Sequence, residues 1–429
     1  MDRLALFGDL LDFTGVPGLA QTDLHGVRWR PDHWLLVEDG RIVGARAQEP
    51  DASWRRERHP GRIVMPGFVD THVHSPQLDV IASYGTELLD WLETYTFPAE
   101  RAWAEPALAE AGSARFLDAL LAHGTTAAVV FPTVHKVSAD ALFAAAAERG
   151  MRIVAGKCLM DRHAPDGLRD DVAGAERDCL ELIERWHGRG RAAYALTVRF
   201  APTSTPAQLT MAGRLAEADP TLYLQTHVAE NRAEVRWVSE LFPEARSYLE
   251  VYARAGLVHR RSVFAHGIWL DEHDRTLLRE RQAQIAFCPS SNLFLGSGLF
   301  DWQENAEHGV AVTVGSDVGG GTSLSMLRTL ADGYKVQALA GRRVSAWAAL
   351  HAATRGAARA LDLDAEIGSL EPGRCADVCV WDWAAGAVAA RRLALARDLH
   401  EKIFAWMTLG DERNLAATYV AGTRRYERE

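Results

Sequence analysis

Along the middle of the chain, short apolar runs alternate with longer stretches rich in Ala, Leu, Glu and Arg. The runs at 125–131, 152–160, 195–201, 222–230, 262–270, 284–289 and 311–317 have the length of buried strands. The stretches between them, such as 107–122, 171–186, 206–218 and 232–255, have helical length. One more strand precedes them. In Phe68-Val69-Asp70-Thr71-His72-Val73-His74, a period of two puts Phe68, Asp70, His72 and His74 on one face. About eight strand–helix units within residues 65–360 predict an α/β fold, a (β/α)8 TIM-like barrel. A doubly wound open sheet is the competing arrangement. No Gly-x-Gly-x-x-Gly turn follows the first strand, however, and polar residues gather at the strand C-terminal ends, as the barrel explains.

The two ends of the chain read differently. Trp34-Leu35-Leu36-Val37-Glu38, an Asp39-Gly40 turn and Arg41-Ile42-Val43-Gly44 form a hairpin pattern. After residue 361 the alternation stops; 376–382 and 418–423 read as strands. These ends are expected to pair into one small β-sandwich, so that 1–64 and 361–429 flank a barrel at 65–360.

Composition narrows the function without naming it. A chain of 429 residues with 48% hydrophobic and 24% charged residues can bury a large core. Its net charge of −10 argues against a nucleic-acid partner, because phosphates need a basic face. Five scattered cysteines (Cys158, Cys179, Cys288, Cys375 and Cys379) include no Cys-x-x-Cys, so neither a disulfide frame nor a thiolate zinc site is indicated. No stretch approaches a membrane span and the first residues lack a signal pattern, which makes the cytoplasm the expected compartment.

The chemistry lies at strand ends. His72 and His74, two apart on an extended strand, converge on one point. The fifth strand ends in Thr226-His227-Val228-Ala229-Glu230, the sixth in Ala265-His266-Gly267 and the eighth in Gly315-Ser316-Asp317. A strand-end His or Asp taken alone often just caps a helix. Together, His72, His74, His227 and Asp317 make a nitrogen/oxygen site for one divalent ion with a position left for water. Glu230 and His266 remain as acid–base groups beside it. An ion held there lowers the pKa of its water. Asp317 then takes the proton, Glu230 passes it to a substrate ring nitrogen, and His266 orients the attack on a C=N or C=O carbon.

Pro66-Gly67-Phe68-Val69-Asp70-Thr71-His72-Val73-His74, Thr226-His227-x-x-Glu230, His266-Gly267 and Gly315-Ser316-Asp317 resemble the signature of the amidohydrolase superfamily, aminohydrolase branch. The likeness covers essentially the whole chain. Within that branch, His74-Ser75-Pro76-Gln77 together with Leu89-Asp90-Trp91-Leu92-Glu93-Thr94-Tyr95-Thr96-Phe97-Pro98-Ala99-Glu100 is similar to the guanine deaminase family. So are Arg199-Phe200-Ala201-Pro202-Thr203 and Cys288-Pro289-Ser290-Ser291-Asn292. The resemblance implies one Zn2+ per chain on the four ligands, with Fe2+ as the other candidate. It implies hydrolytic deamination of guanine by hydroxide attack at C2, and a purine held by Gln77, Arg199, Phe200 and Trp91. The partners it implies are this small molecule and a second copy of the chain, with neither nucleic acid nor membrane. A related aminohydrolase acting on an oxidised guanine, a pterin or a triazine is the alternative. Trp91, Tyr95 and Phe97 also sit at helical spacing and read equally well as packing. Val198 departs from the pattern, where Pro is expected before Arg199-Phe200. No Lys ends the fourth strand, which disfavours a two-metal site built on a modified lysine.

Overall fold

The computed structural model describes residues 2–20, 24–84 and 88–429. The chain forms two compact units, one of Met1–Asp70, Asp118–Ala127 and Leu324–Glu429 and the other of Thr71–Leu117 and Ala128–Ser323.

The first unit is built on β1 (Arg3–Phe13), β2 (Val27–Glu38), β3 (Arg41–Arg46) and β4 (Arg55–Pro66). The expected hairpin is the β2–β3 pair, and its turn residues Asp39 and Gly40 both have positive φ, 46° and 79°.

The barrel sheet comprises β5 (Phe68–His74), β6 (Thr125–Phe131), β7 (Arg152–Ala155), β8 (Cys158–Leu159), β9 (Ala192–Val198), β10 (Tyr223–Val228), β11 (Ser262–His266), β12 (Gln284–Phe287) and β13 (Ala311–Val314). They run in the order β13-β12-β11-β10-β9-β7-β6-β5, with β8 on β9. The pairs from β9 to β13 are parallel. Parallel strands covered on both faces read as apolar runs, and every residue of β5, β6 and β11 is buried.

The ends of the sheet meet on the side that carries the chemistry. Thr71 Oγ1 lies 2.9 Å from Thr313 Oγ1 and donates to the Val314 carbonyl at 3.1 Å. The Asp317 amide donates to the His72 carbonyl at 2.8 Å, and the His74 amide to that of Val318 at 3.0 Å. Gly315 permits this approach, because a Cβ there would stand 2.7 Å from the His72 Cβ.

Near the C-terminus, β14 (Val378–Trp381) pairs antiparallel with β4, and β15 (Leu415–Val420) and β16 (Thr423–Glu427) extend the sheet to seven strands. The chain ends therefore combine as expected. Leu4, Leu6, Leu35, Val64, Val378 and Val380 form its core, each contributing about 1.5–3 kcal/mol by burial.

Several observed elements are shorter than the apolar runs that announce them. The run at 152–160 is split into β7 and β8 around Gly156, where a Cβ would lie 1.9 Å from the Ala195 carbonyl oxygen. The stretch at 232–255 is two helices, Arg232–Leu241 and Tyr248–Arg254, parted at Phe242-Pro243. Proline has no N–H for the helix ladder and pushes the residue before it out of the helical region. Of the segment between the first strand and its helices, Gly85 lies outside the described residues. Among the described residues, no helix is long and apolar enough to cross a membrane.

Candidate active site and metal centre

Every functional side chain expected from the sequence lies at the C-terminal end of a barrel strand or in the segment that follows it. His72 and His74 end β5, Arg199 and Phe200 follow β9, His227 lies on β10 with Glu230 just beyond, His266 ends β11, and Asp317 follows β13. Gln77 lies in the short 3-10 turn Ser75–Val80. Trp91 ends the helix Leu88–Trp91, before a wide π-type turn at Leu92–Thr96.

Three ligand atoms crowd together on the pocket floor. His72 Nε2 and His74 Nε2 are 3.2 Å apart, and each is 3.2 Å from Asp317 Oδ1. With His227, one ligand atom from each of these residues lies within 4.8 Å of the others. Ligands bound at about 2.0–2.2 Å to one tetrahedral ion stand about 3.3 Å from one another. The donor set therefore fits a divalent cation. His227 Nδ1 faces the Arg199 carbonyl at 2.6 Å, so its proton belongs there and Nε2 keeps a lone pair. Phe131 packs against all three rings, with centroids 4.8–5.1 Å away.

Electrostatics point the same way. Burial drives the His74 imidazole down to about 3 and that of His227 well below its ordinary value, so both are neutral lone-pair donors. Burial also opposes charge on Asp317, yet the imidazoles of His72, His74 and His266 hold its carboxyl well below the usual range. Glu230 is the opposite case: burial and the Asp317 charge push it up to about 8.

The two residues expected to act as acid–base groups, Glu230 and His266, stand on the other side of Asp317. His266 Nε2 lies 3.6 Å from Glu230 Oε2 and 3.7 Å from Asp317 Oδ2, while Nδ1 faces Asn292 Oδ1 at 2.9 Å. Ser297 Oγ donates to Glu230 Oε1 at 3.0 Å. His266 and Asp317 both have left-handed backbone, φ 70° and 50°, a conformation that costs non-glycine residues on the order of 1 kcal/mol. Strain of this kind persists where the surrounding structure fixes a side chain's aim.

The wall of the pocket is polar on one side and apolar on the other. Arg199 Nη1 donates to both Glu100 oxygens, at 2.6 and 2.7 Å, and both residues are buried. Gln77 Nε2 donates to Glu100 Oε1 at 3.1 Å, and Gln77 Oε1 accepts from the Gly319 amide at 3.1 Å. The Gln77 carbonyl is thus engaged and the amide presents a donor. Val198 is buried at the end of β9, and the departure from the expected Pro leaves Arg199 on the pocket wall. Phe200, Leu92, Leu295 and Trp91 supply the apolar lining. The Trp91 indole N–H is buried without a partner. Phe97 is buried and Tyr95 half-buried in the apolar cluster that also contains Trp91, so the helical spacing of these aromatics reflects packing as well.

A profile of the amidohydrolase family matches residues 63–425. The chain belongs to the amidohydrolase family. Its sequence is 43% identical to the guanine deaminase of Escherichia coli over 430 aligned residues, covering 99% of this chain and 98% of that one. The solved E. coli guanine deaminase superposes with a TM-score of 0.95 at 42% identity, each chain covered completely. A guanine deaminase from C. acetobutylicum, solved with guanine bound in its active site, gives a TM-score of 0.88 at 26% identity, covering 99% of this chain and 100% of that one.

In this amidohydrolase the structure brings together all the residues expected from the sequence and adds four. Glu100 pairs with Arg199, Asn292 with His266, and Ser297 with Glu230. Glu234 accepts from the Glu230 and Asn231 amides at 3.0 and 3.1 Å and from the Tyr248 hydroxyl at 2.6 Å. Glu234 was detectable: Asn231-x-x-Glu234 is a capping-box spacing directly after the fifth strand. Glu100 carried a weaker signal, a carboxylate ending an otherwise apolar Phe97-Pro98-Ala99 run.

Proposed function

We infer that the protein hydrolyses guanine to xanthine and ammonia, as a hydrolase of cyclic amidine C–N bonds. The whole-length likeness to the E. coli guanine deaminase carries this reading, because it extends over both the metal-ligand positions and the purine wall.

His72, His74, His227 and Asp317 would hold one divalent ion, zinc on grounds of ligand chemistry, with Fe2+ also compatible with imidazole and carboxylate. When bound, the ion supplies Lewis acidity that brings the pKa of a water toward neutrality. The rest of the mechanism belongs to side chains. Asp317, ionised despite burial, accepts a proton from the attacking water. His266, steadied by Asn292, orients that water between the two carboxylates. Glu230, poised near 8, delivers its proton to the ring nitrogen beside C2 and takes one back from the C2 hydroxyl as the intermediate collapses, while Asp317 passes the proton it accepted to the departing amino group. A C–O bond forms at C2, the C–N bond breaks, and ammonia leaves. Phe200 and Trp91 flank the ring, and Gln77 offers a donor to its edge.

Arg199 accounts for the choice of purine. A guanidinium has only N–H groups to offer. Guanine presents a carbonyl at O6, whereas adenine presents an amino group there, leaving donor against donor. Ammonia release measured across guanine, adenine, 8-oxoguanine, pterins and cytosine tests the reading. Guanine turnover should exceed that of adenine by about 10⁴–10⁵. Adenine or cytosine turned over as fast as guanine would reduce the assignment to an aminohydrolase of another substrate.

A further inference from the structure

Glu100 is fully buried and does not line the pocket itself. It acts through its neighbours. Its two oxygens take both short bonds from Arg199 Nη1, and Oε1 also accepts from Gln77. Gln77 is fixed in turn by the Gly319 amide, so one polar string joins the end of β9, the helix Phe97–Ala102, the turn after β5 and the segment after β13. The string has an electrostatic consequence. A lone guanidinium at 3% exposure would make the purine pocket strongly attractive to anions, because little solvent screens it. Beside a carboxylate at 2.6 Å the wall carries no net charge, while the guanidinium groups not bonded to Glu100 still donate.

This matters for a deaminase of the kind inferred above, and the argument rests on that reading. Guanine is neutral near pH 7, whereas xanthine loses a ring proton much more readily, so turnover converts a neutral ligand into one that is partly anionic. We propose that Glu100 sets the charge of the purine pocket: by cancelling Arg199 it favours the neutral substrate and lets the anionic product leave. Glu100 is on this view a positioning and specificity-determining residue, not one that touches the reacting atoms.

The test compares two purines that the enzyme does not consume, at one mildly alkaline pH where xanthine is largely anionic and hypoxanthine largely neutral. Binding of each is measured by calorimetry on metal-loaded protein, and the ratio of xanthine to hypoxanthine affinity is the readout. Glu100→Gln keeps the shape and the Gln77 contact but leaves Arg199 charged. Its ratio should rise by about tenfold or more, as expected for a newly available buried charge pair. Replacing both residues, Glu100→Gln with Arg199→Met, removes both charges and should bring the ratio back to that of the parent. A role in packing alone would weaken both ligands alike and leave the ratio unmoved, and that result overturns the proposal. Should Glu100→Gln fail to fold, Arg199→Gln decides: it leaves the Glu100 carboxylate uncancelled, so its ratio must fall, and a level or rising ratio overturns the proposal. Guanine turnover by the parent protein is measured in parallel. A parent that deaminates guanine with no shift in the ratio sinks this inference alone, whereas a parent inert toward guanine sinks the reading beneath it.

Discussion

On the floor of the pocket, His72 Nε2, His74 Nε2 and Asp317 Oδ1 stand 3.2 Å apart, lone pairs turned toward one another. On its wall, Arg199 and Glu100 meet at 2.6 Å and Gln77 completes the set of bonds. Both groups are buried, and both sit just beyond strand ends of one barrel. The wall is complete from its own residues. The floor concentrates acceptors, and on the function proposed above a cation from outside balances them. Buried charge is tolerated when paired and is expensive otherwise, so these halves of one site differ in what must be supplied for them to work.

Removing the ion should separate the halves most sharply. Prolonged chelation is expected to abolish guanine turnover and to lower the melting temperature. An ion present at about a thousand times its Kd contributes about 4 kcal/mol to stability. Full turnover by protein shown by metal analysis to be ion-free would mean that the floor does not need a cation. Next in size is Glu230→Gln. It should keep the ion and lose about 10²–10⁴ in kcat, the range of a general acid–base group. Metal content is the discriminating measurement, since loss of the ion in this variant would make Glu230 part of the floor. Arg199→Ala comes third. It should keep the ion too, and lose about 10²–10³ in kcat/KM for guanine, because the donor facing O6 is gone and Glu100 is left buried without its cation. A variant with parental kinetics would show that the wall does not read the substrate.

The floor was legible in the sequence and the wall only partly so, for a physical reason. Metal ligands must come from a few residue types at strand ends, so His72, His74, His227 and Asp317 stand out once the strands are placed. Glu100 belongs to a helix whose surroundings are apolar, and only the fold reveals that its carboxylate meets Arg199, 99 positions away. Asn292 and Ser297 are small polar residues of a kind found in any loop, and their pairing with His266 and Glu230 is a matter of tertiary contact. Strand ends were overextended for a related reason. Residues such as Gly267 and Ser316-Asp317 continue an apolar run in pattern, but the backbone turns away from the ladder there, with φ of 62° at Gly267 and 50° at Asp317. The split of the stretch at 232–255 was in principle readable from Pro243.

The smallest expected effect concerns a third way of burying an ionisable group, neither paired with a carboxylate nor given an ion. His351, in the unit formed by the chain ends, is 8% exposed and meets Phe13 edge-on at 5.5 Å. Burial, with Arg355 and Arg359 nearby, pushes its imidazole down to about 4 from an ordinary 6.5. Its folded-state value therefore lies below the unfolded one, so between these values the unfolded chain binds more protons. The stability from keeping this ring neutral is fully present above about pH 6.5, and acid removes it progressively down to about pH 4. Linkage over that interval predicts that the parent loses about 2 kcal/mol more than His351→Leu between about pH 7 and pH 5. Denaturant midpoints of both proteins, measured after ion removal so that protonation of the floor does not intrude, give the difference. Equal losses in the two proteins would mean that His351 does not stay neutral on folding, and burial alone would then be insufficient to suppress a charge in this fold.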